Sequence, residues 1–238
     1  MNVELVSATD KPTKTACLAG RNDYYDGWVR EDDYSEVMDV VDGDTVEEKE
    51  ENLIQQFVDR GHYGPLEHPH ATFSIEGVSR ACMGQARTHR LMSFDVQSMR
   101  YVDFSGDVED IVKLPRSLEA DESISREKGL SELDEELSQD LRNDYYGECR
   151  RSIDRYQAML ENDIPKEDAR FVLPIGCKVN MVVSANARLW LHFFDMRKPA
   201  NAQWEVREMA DTIEDRCAEW FPTLFEYYKE KGTNKIAP

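Results

Sequence analysis

The stretch from Ala71 to Phe104, ATFSIEGVSRACMGQARTHRLMSFDVQSMRYVDF, changes its hydrophobic period twice, and that decides the fold class. From Ala71 to Glu76 apolar and polar residues alternate, with Phe73 and Ile75 on one side, as in a half-buried strand. Gly77 is expected to break that strand. Val78 to about Arg90 returns to helical spacing, and Gln97 to Phe104 reads as extended again. Strand, helix and extended segment within so short a run predict an α+β chain.

The flanks agree with that reading. Upstream, Val3 and Leu5 alternate in a short opening strand, and Lys11 to Gly20 is weakly helical. Asp44 or Thr45 can cap a helix through Arg60 with an apolar face of Leu53, Ile54, Phe57 and Val58, and Gly61 follows as a stop. Downstream, Leu130, Leu133, Leu137 and Leu141 form a stripe that predicts a helix from about Leu130 to Glu161. Pro165 and Pro174 bracket a short helical segment. Cys177 to Val183 has the composition of a strand, Asn186 can cap a helix through Phe194, and Ala202 to Trp220 reads as a last substantial helix. There is no internal repeat and no linker rich in glycine, serine or proline, so 1–238 reads as a single domain.

Charge separates the regions further. The 238 residues carry 48 acids against 29 lysines and arginines, a formal net charge of -19, and the cations comprise 11 lysines and 18 arginines. Such a surface repels phosphate backbones, which argues against nucleic-acid coating and against anionic membranes. It fits either adaptation to concentrated salt or a merely acidic cytosolic protein. From Asp103 to Glu148 there are 15 acids against five bases, the mark of a solvated insertion. Five scattered cysteines without a Cys-x-x-Cys pair indicate neither a disulfide framework nor a zinc ribbon. No apolar run approaches the ~18 residues of a membrane span, and no secretory signal is visible, so a cytoplasmic location is expected.

Against this background Ser79 to Tyr101 stands out, carrying Arg80, Arg87, Arg90 and Arg100 with Asp95 as the single opposing acid. On a helix, Arg80, Arg87 and Arg90 share a face. A second group, Arg170, Arg188 and Arg197, surrounds the helix that begins at Asn186. Arginine's planar fork suits phosphate oxygens and carbonyl-bearing rings, so a cationic site in a polyanionic chain points to a small anionic ligand such as a nucleotide. The same arginines can equally serve as ordinary salt-bridge partners of the abundant acids, and charge alone does not choose.

Residue order does. Thr88-His89-Arg90, seven residues, then Ser98-Met99-Arg100-Tyr101 resembles the signature of the flavin-dependent thymidylate synthases, Arg-His-Arg, seven residues, then Ser. His62-Tyr63-Gly64-Pro65-Leu66-Glu67-His68 resembles that family's His-x-x-Pro-hydrophobic-Glu-His segment. Phe73, Gln85, the run from Arg170 to Pro174, Asn186-Ala187-Arg188, Arg197 and the run from Ala202 to Glu205 recur in the family's order and spacing. The resemblance covers well over half the chain. It implies an α+β fold with a mainly antiparallel central sheet flanked by helices, assembled as a homotetramer whose active sites lie at subunit interfaces.

The implied reaction is the reductive methylation of dUMP to dTMP. Methylenetetrahydrofolate would supply the carbon, FAD would carry the hydride, and NADPH would be the usual reductant. By position, Gln85, Arg87, Thr88, Gln97, Ser98, Arg100 and Arg170 would hold the dUMP phosphate and sugar. Arg197 would bind the uracil edge and favour ionisation at N3, which makes it the catalytic residue. FAD would be held by His62, Gly64, Thr88, His89, Arg90, Val96, Asn186, Arg188 and His192. The partners implied are small molecules, with no nucleic acid, membrane or metal.

The chain departs from the family pattern at several places. Thr88 occupies the first signature arginine's position, with Arg87 one place earlier, a rotation of about 100° if both are helical. Asp95 and Val96 replace a common Asn-Glu pair, His192 stands where asparagine is usual, and Asn201 where histidine is usual. These exchanges put individual FAD contacts in question more than the overall activity, and Thr88, Val96, His192 and Asn201 motivate an alternative in which the chain binds dUMP but has lost flavin chemistry. Three readings of single residues run the other way. Ser98 as a nucleophile lacks a His/Asp partner at an informative spacing, Cys82 on an apolar stretch reads as packing, and His62, His68 and His70 lack a cysteine that would complete a metal set.

Overall fold

The computed structural model describes residues 1–118 and 135–231. Its elements, in chain order, are β1 (Asn2–Ala8), α1 (Pro12–Asn22), α2 (Tyr34–Val37), α3 (Val46–Asp59), β2 (His70–Ser79), α4 (Arg80–Ala86), β3 (Ser93–Val96), α5 (Val108–Ile111), α6 (Glu135–Glu161), α7 (Lys166–Ala169), β4 (Lys178–Asn186), α8 (Ala187–Arg197), α9 (Trp204–Trp220) and α10 (Pro222–Lys231), with short 3-10 turns at Gly64–Glu67 and Arg170–Val172. The fold is α+β, with one four-stranded antiparallel sheet in the order β1-β2-β4-β3.

Sheet register follows from the sequence pattern. In β4, Val179, Met181, Val183 and Ala185 are buried and their neighbours are not, so one face is apolar throughout. In β2 the buried set is Ala71, Phe73 and Ile75, but past Gly77 it shifts to Val78 and Ser79. Gly77 does not end the strand, as its sequence position led one to expect. Its φ of +70°, open to glycine at little cost, changes the parity of the strand while its amide donates to Asn180 Oδ1 at 3.0 Å.

Helix ends also have local causes. Thr45 Oγ1 accepts from Glu48 N at 3.2 Å while the Glu48 carboxylate returns to the Thr45 amide, a complete capping box for α3. Gly61, with φ +70°, closes the same helix. Asn186 Oδ1 caps α8 by accepting from Leu189 N at 2.9 Å. Two expectations need correction. The helix expected from Val78 to about Arg90 stops at Ala86, because Arg87 to Met92 turn, with Met92 N donating to His89 O. The extended segment expected at Gln97 to Phe104 is instead Ser93–Val96 followed by turns. Of the α6 stripe, Leu130 and Leu133 lie outside the described residues. The acidic insertion is likewise described only in part.

Contacts group the chain into two units. The first comprises Met1, Glu76–Ala86 and Val96–Met181. Here Cys82, Cys149, Cys177, Ile153 and Tyr156 are buried, Val112 bridges antiparallel to Cys177, and Tyr145 Oη donates to Lys113 O at 2.8 Å. Cys82 is packed at 0% exposure, as expected from its apolar stretch. The second comprises Asn2–Ile75, Arg87–Asp95 and Val182–Pro238. Its core is aromatic: Trp190 meets Phe73 edge-on at 5.2 Å, and Phe194 meets Phe225 at 6.0 Å. Among the described residues no helix is long and apolar enough to cross a membrane.

Candidate active site

In the second unit the turn after α4 and the last turns of α8 converge. Arg197, the final residue of α8, donates from Nε to His89 Nε2 at 2.9 Å and from Nη2 to Thr88 Oγ1 at 2.5 Å. Both acceptors are uncharged. His89 is half-buried against the rings of His192, at 5.5 Å, and Phe193, at 4.9 Å. Burial, then the charge of Arg197 and the proximity of His192, hold its imidazole down to about 4. At neutral pH its Nε2 is therefore a lone-pair acceptor, which is what the Arg197 contact requires.

Thr88, His89, Arg90, Leu91, Met196 and Arg197 line a cavity of about 300 Å³ with His192 and Leu189. A neighbouring cavity of about 560 Å³ shares Leu91, Leu189 and His192 and adds Glu67, Asn186 and Arg188. Arg188 and His192, four apart on α8, open on the same space, as their spacing predicts. Arg188 pairs with Glu67 and lies 5.7 Å from the Tyr63 ring, so the 3-10 turn at Gly64–Glu67 is tied to the start of α8. Arg87 and Arg90 are exposed, and their guanidinium groups make no ion pair or hydrogen bond among the described residues. His62 sits elsewhere in this unit: its Nε2 is 3.3 Å from Asp23 and its ring lies edge-on to Phe57 at 5.5 Å.

The first unit holds another constellation. Arg100 Nη2 is 2.7 Å from the Glu167 carboxylate, and Arg170 Nε donates to the Glu167 carbonyl at 2.9 Å. One acidic residue thus gathers two arginines that are 70 positions apart in the chain. Lys166 Nζ, donating to Tyr101 O at 3.2 Å, fixes the same turn, and Ser98 Oγ accepts from Arg100 N at 3.3 Å. Gln97 is fixed twice on β4: its amide donates to Asn180 O at 2.8 Å and its Oε1 accepts from Asn180 N at 3.2 Å. Gln85 is exposed in the last turn of α4, and Val96 ends β3.

Residues 4–223 match the family described as Thymidylate synthase complementing protein. The chain is 45% identical, over the full length of both proteins, to the flavin-dependent thymidylate synthase of Halobacterium salinarum, and equally so to that of Haloarcula marismortui. The chain belongs to the flavin-dependent thymidylate synthase family. Its fold matches the crystal structure of the UMP/dUMP methylase PolB from Streptomyces cacaoi bound with 5-Br dUMP, with a TM-score of 0.74 at 20% identity over 96% of this chain and 94% of that one.

Within this thymidylate synthase chain, sequence reasoning missed four participants. Glu67 was visible only as a letter of its motif, although it neutralises Arg188. Glu167 pairs through its carboxylate with Arg100, 67 positions away, which no local spacing signals. Leu91 and Leu189 supply the apolar walls of both cavities and carry no chemical signature in sequence. The helical argument that set Arg87 about 100° from Thr88 does not apply, since both residues lie beyond the end of α4. The residues around His192 suit a flavin. Apolar walls from Leu91 and Leu189 match a flat ring, an unpaired Arg90 suits a pyrophosphate, and the side-chain amide nitrogen of Asn186 makes no hydrogen bond among the described residues.

Proposed function

We propose that this chain catalyses the reductive methylation of dUMP to dTMP, with methylenetetrahydrofolate as carbon donor, FAD as hydride carrier and NADPH as reductant. The observation that carries the reading is the fixed guanidinium of Arg197, held by His89 and Thr88 on the wall of a cavity lined by signature residues. FAD, when bound, supplies the two-electron chemistry, and the protein's work is to bind, orient and polarise.

Uracil becomes nucleophilic at C5 when negative charge on its N3–C4–O4 edge is stabilised. A guanidinium already locked in place before substrate arrives does this without reorganisation. Neutral His89 orients Arg197 without cancelling its charge. Gln85, Arg87, Thr88, Gln97, Ser98, Arg100 and Arg170 form the nucleotide-binding set, with the phosphate as the natural ligand of the arginines. Gly64, Thr88, His89, Arg90, Val96, Asn186, Arg188 and His192 form the flavin set, to which the motif adds His62, a residue on the wall of a separate cavity. The active form is a homotetramer whose sites draw on more than one chain. The excess of acids is an adaptation to concentrated salt, where a Debye length of roughly 3 Å at 1 M leaves only contacting arginines to matter.

Purified protein is expected to be yellow, with a flavin band that dUMP perturbs, and to release tritium from 5-tritiated dUMP when folate and NADPH are supplied. Colourless protein that takes up no FAD overturns the reading. If that protein still binds dUMP, it is a nucleotide-binding homologue without flavin chemistry.

A further inference from the structure

A third cavity, of about 420 Å³, opens where α1 faces α3 in the second unit, and it shares no lining residue with the two cavities around His192. Arg21, from α1, is 9% exposed, and its Nε donates to Val37 O at 2.9 Å. That bond fixes the plane of the guanidinium and leaves its two Nη groups without an acceptor among the described residues. Arg60, the C-cap of α3, contributes a second guanidinium that makes no hydrogen bond or ion pair there. The amide of Gln56 is equally unengaged and lines the same space.

Two unpaired guanidinium groups in one cleft are out of place in a chain with 48 acids, where partners abound. Placement of Arg60 at a helix C-terminus is favourable but weak in an exposed setting. It offers nothing for Arg21, whose side chain is mostly buried while its guanidinium reaches the cleft. Asp42 is the single carboxylate in the lining, while Asp23 is engaged by His62. The wall also carries Tyr24, 73% exposed, so an aromatic face stands beside the cations.

We propose that this cleft binds an aryl group that ends in an anion, with Arg21 and Arg60 receiving the carboxylate or phosphate and Tyr24 covering the ring. Resting on the thymidylate synthase reading, two sources carry that chemistry. The folate has a benzoyl group ending in glutamate carboxylates, and NADPH has an adenine whose ribose bears a 2′-phosphate. A co-substrate anchored by its tail in this cleft gains affinity from a part remote from the reacting carbon or hydride.

Calorimetry on the full-length protein with p-aminobenzoylglutamate and, separately, adenosine 2′,5′-bisphosphate distinguishes the sources. One of the two is expected to bind, with affinity falling about tenfold in Arg60→Ala and further in Arg60→Glu. The parent co-substrate should show the same dependence in its Michaelis constant, with dUMP affinity unchanged as the control for folding. The proposal is overturned if neither fragment binds, or if Arg60→Glu binds as tightly as the parent protein. Arg60-dependent binding without dTMP formation would leave this site standing and remove the thymidylate synthase reading instead.

Discussion

Arg100 and Arg197 are the same residue type set up in opposite ways. Arg100, in the first unit, is tied at 2.7 Å to the carboxylate of Glu167, with both side chains about half exposed. Arg197, in the second, rests on the imidazole of His89 and the hydroxyl of Thr88, both uncharged. A carboxylate partner holds an arginine ready but competes with any incoming anion. Neutral acceptors hold the side chain equally still and leave its charge to act on the ligand. The first arrangement suits binding, where one anion exchanges for another. The second suits stabilisation of charge that develops during reaction.

The sharpest way to break that contrast is to remove each guanidinium in turn. Arg197→Ala is expected to lower kcat by about 10²–10³-fold, the scale seen when a preorganised donor is lost, with flavin absorbance retained. Near-normal turnover in single-turnover dTMP assays would refute the catalytic assignment. Arg100→Ala should instead raise the dUMP Michaelis constant about tenfold and leave kcat within a few-fold, since a charge-assisted phosphate contact is made before the reaction and during it. A loss confined to kcat would show that the two arginines do not divide the work this way.

Glu167 sharpens the comparison from the other side. If its carboxylate competes with the substrate's anion, Glu167→Gln should tighten dUMP binding by about two- to fivefold, a surface-pair effect of modest size. If the Glu167 carboxylate chiefly positions Arg100, the same variant will weaken binding. Calorimetric titration with dUMP reads the sign directly.

How much of this was legible depends on how local the cause is. A cap at Asp44 or Thr45, the Asn186 cap and a strand around Cys177 to Val183 are written in neighbouring residues, and all were readable. The end of α4 was not. Apolar spacing from Val78 onward carries on past Ala86, but the chain turns there, and His89 in that turn meets Arg197 across a separation of 108 residues. Likewise Arg188 and Glu67, 121 positions apart, belong to two motifs whose order was visible but whose contact was not. α10 also escaped notice: Pro222 marks its start, but the ten residues are stabilised by packing of Leu224, Phe225 and Tyr228 rather than by any clear periodicity. Residue types announced the arginines, while long-range packing decided which of them were neutralised.

The last expected effect concerns the neutral acceptor itself. His89 titrates at about 4 in the folded chain, against 6.5 ordinarily, because burial and Arg197 oppose its charged form. Between those two values the unfolded chain binds a proton that the folded chain does not. Stability therefore falls as pH drops from 6.5 to about 4 and levels off below, once both states are protonated. His89→Gln, whose amide oxygen can still accept from Arg197, should flatten that part of the profile in denaturant midpoints measured from pH 4 to 7. Activity should behave differently. Since Nε2 keeps its lone pair down to about pH 4, kcat should show no acid limb near 6.5 that His89→Gln abolishes. If such a limb exists, His89 gains and loses its proton during turnover, and the uncharged support that sets Arg197 apart from Arg100 is not what the enzyme uses.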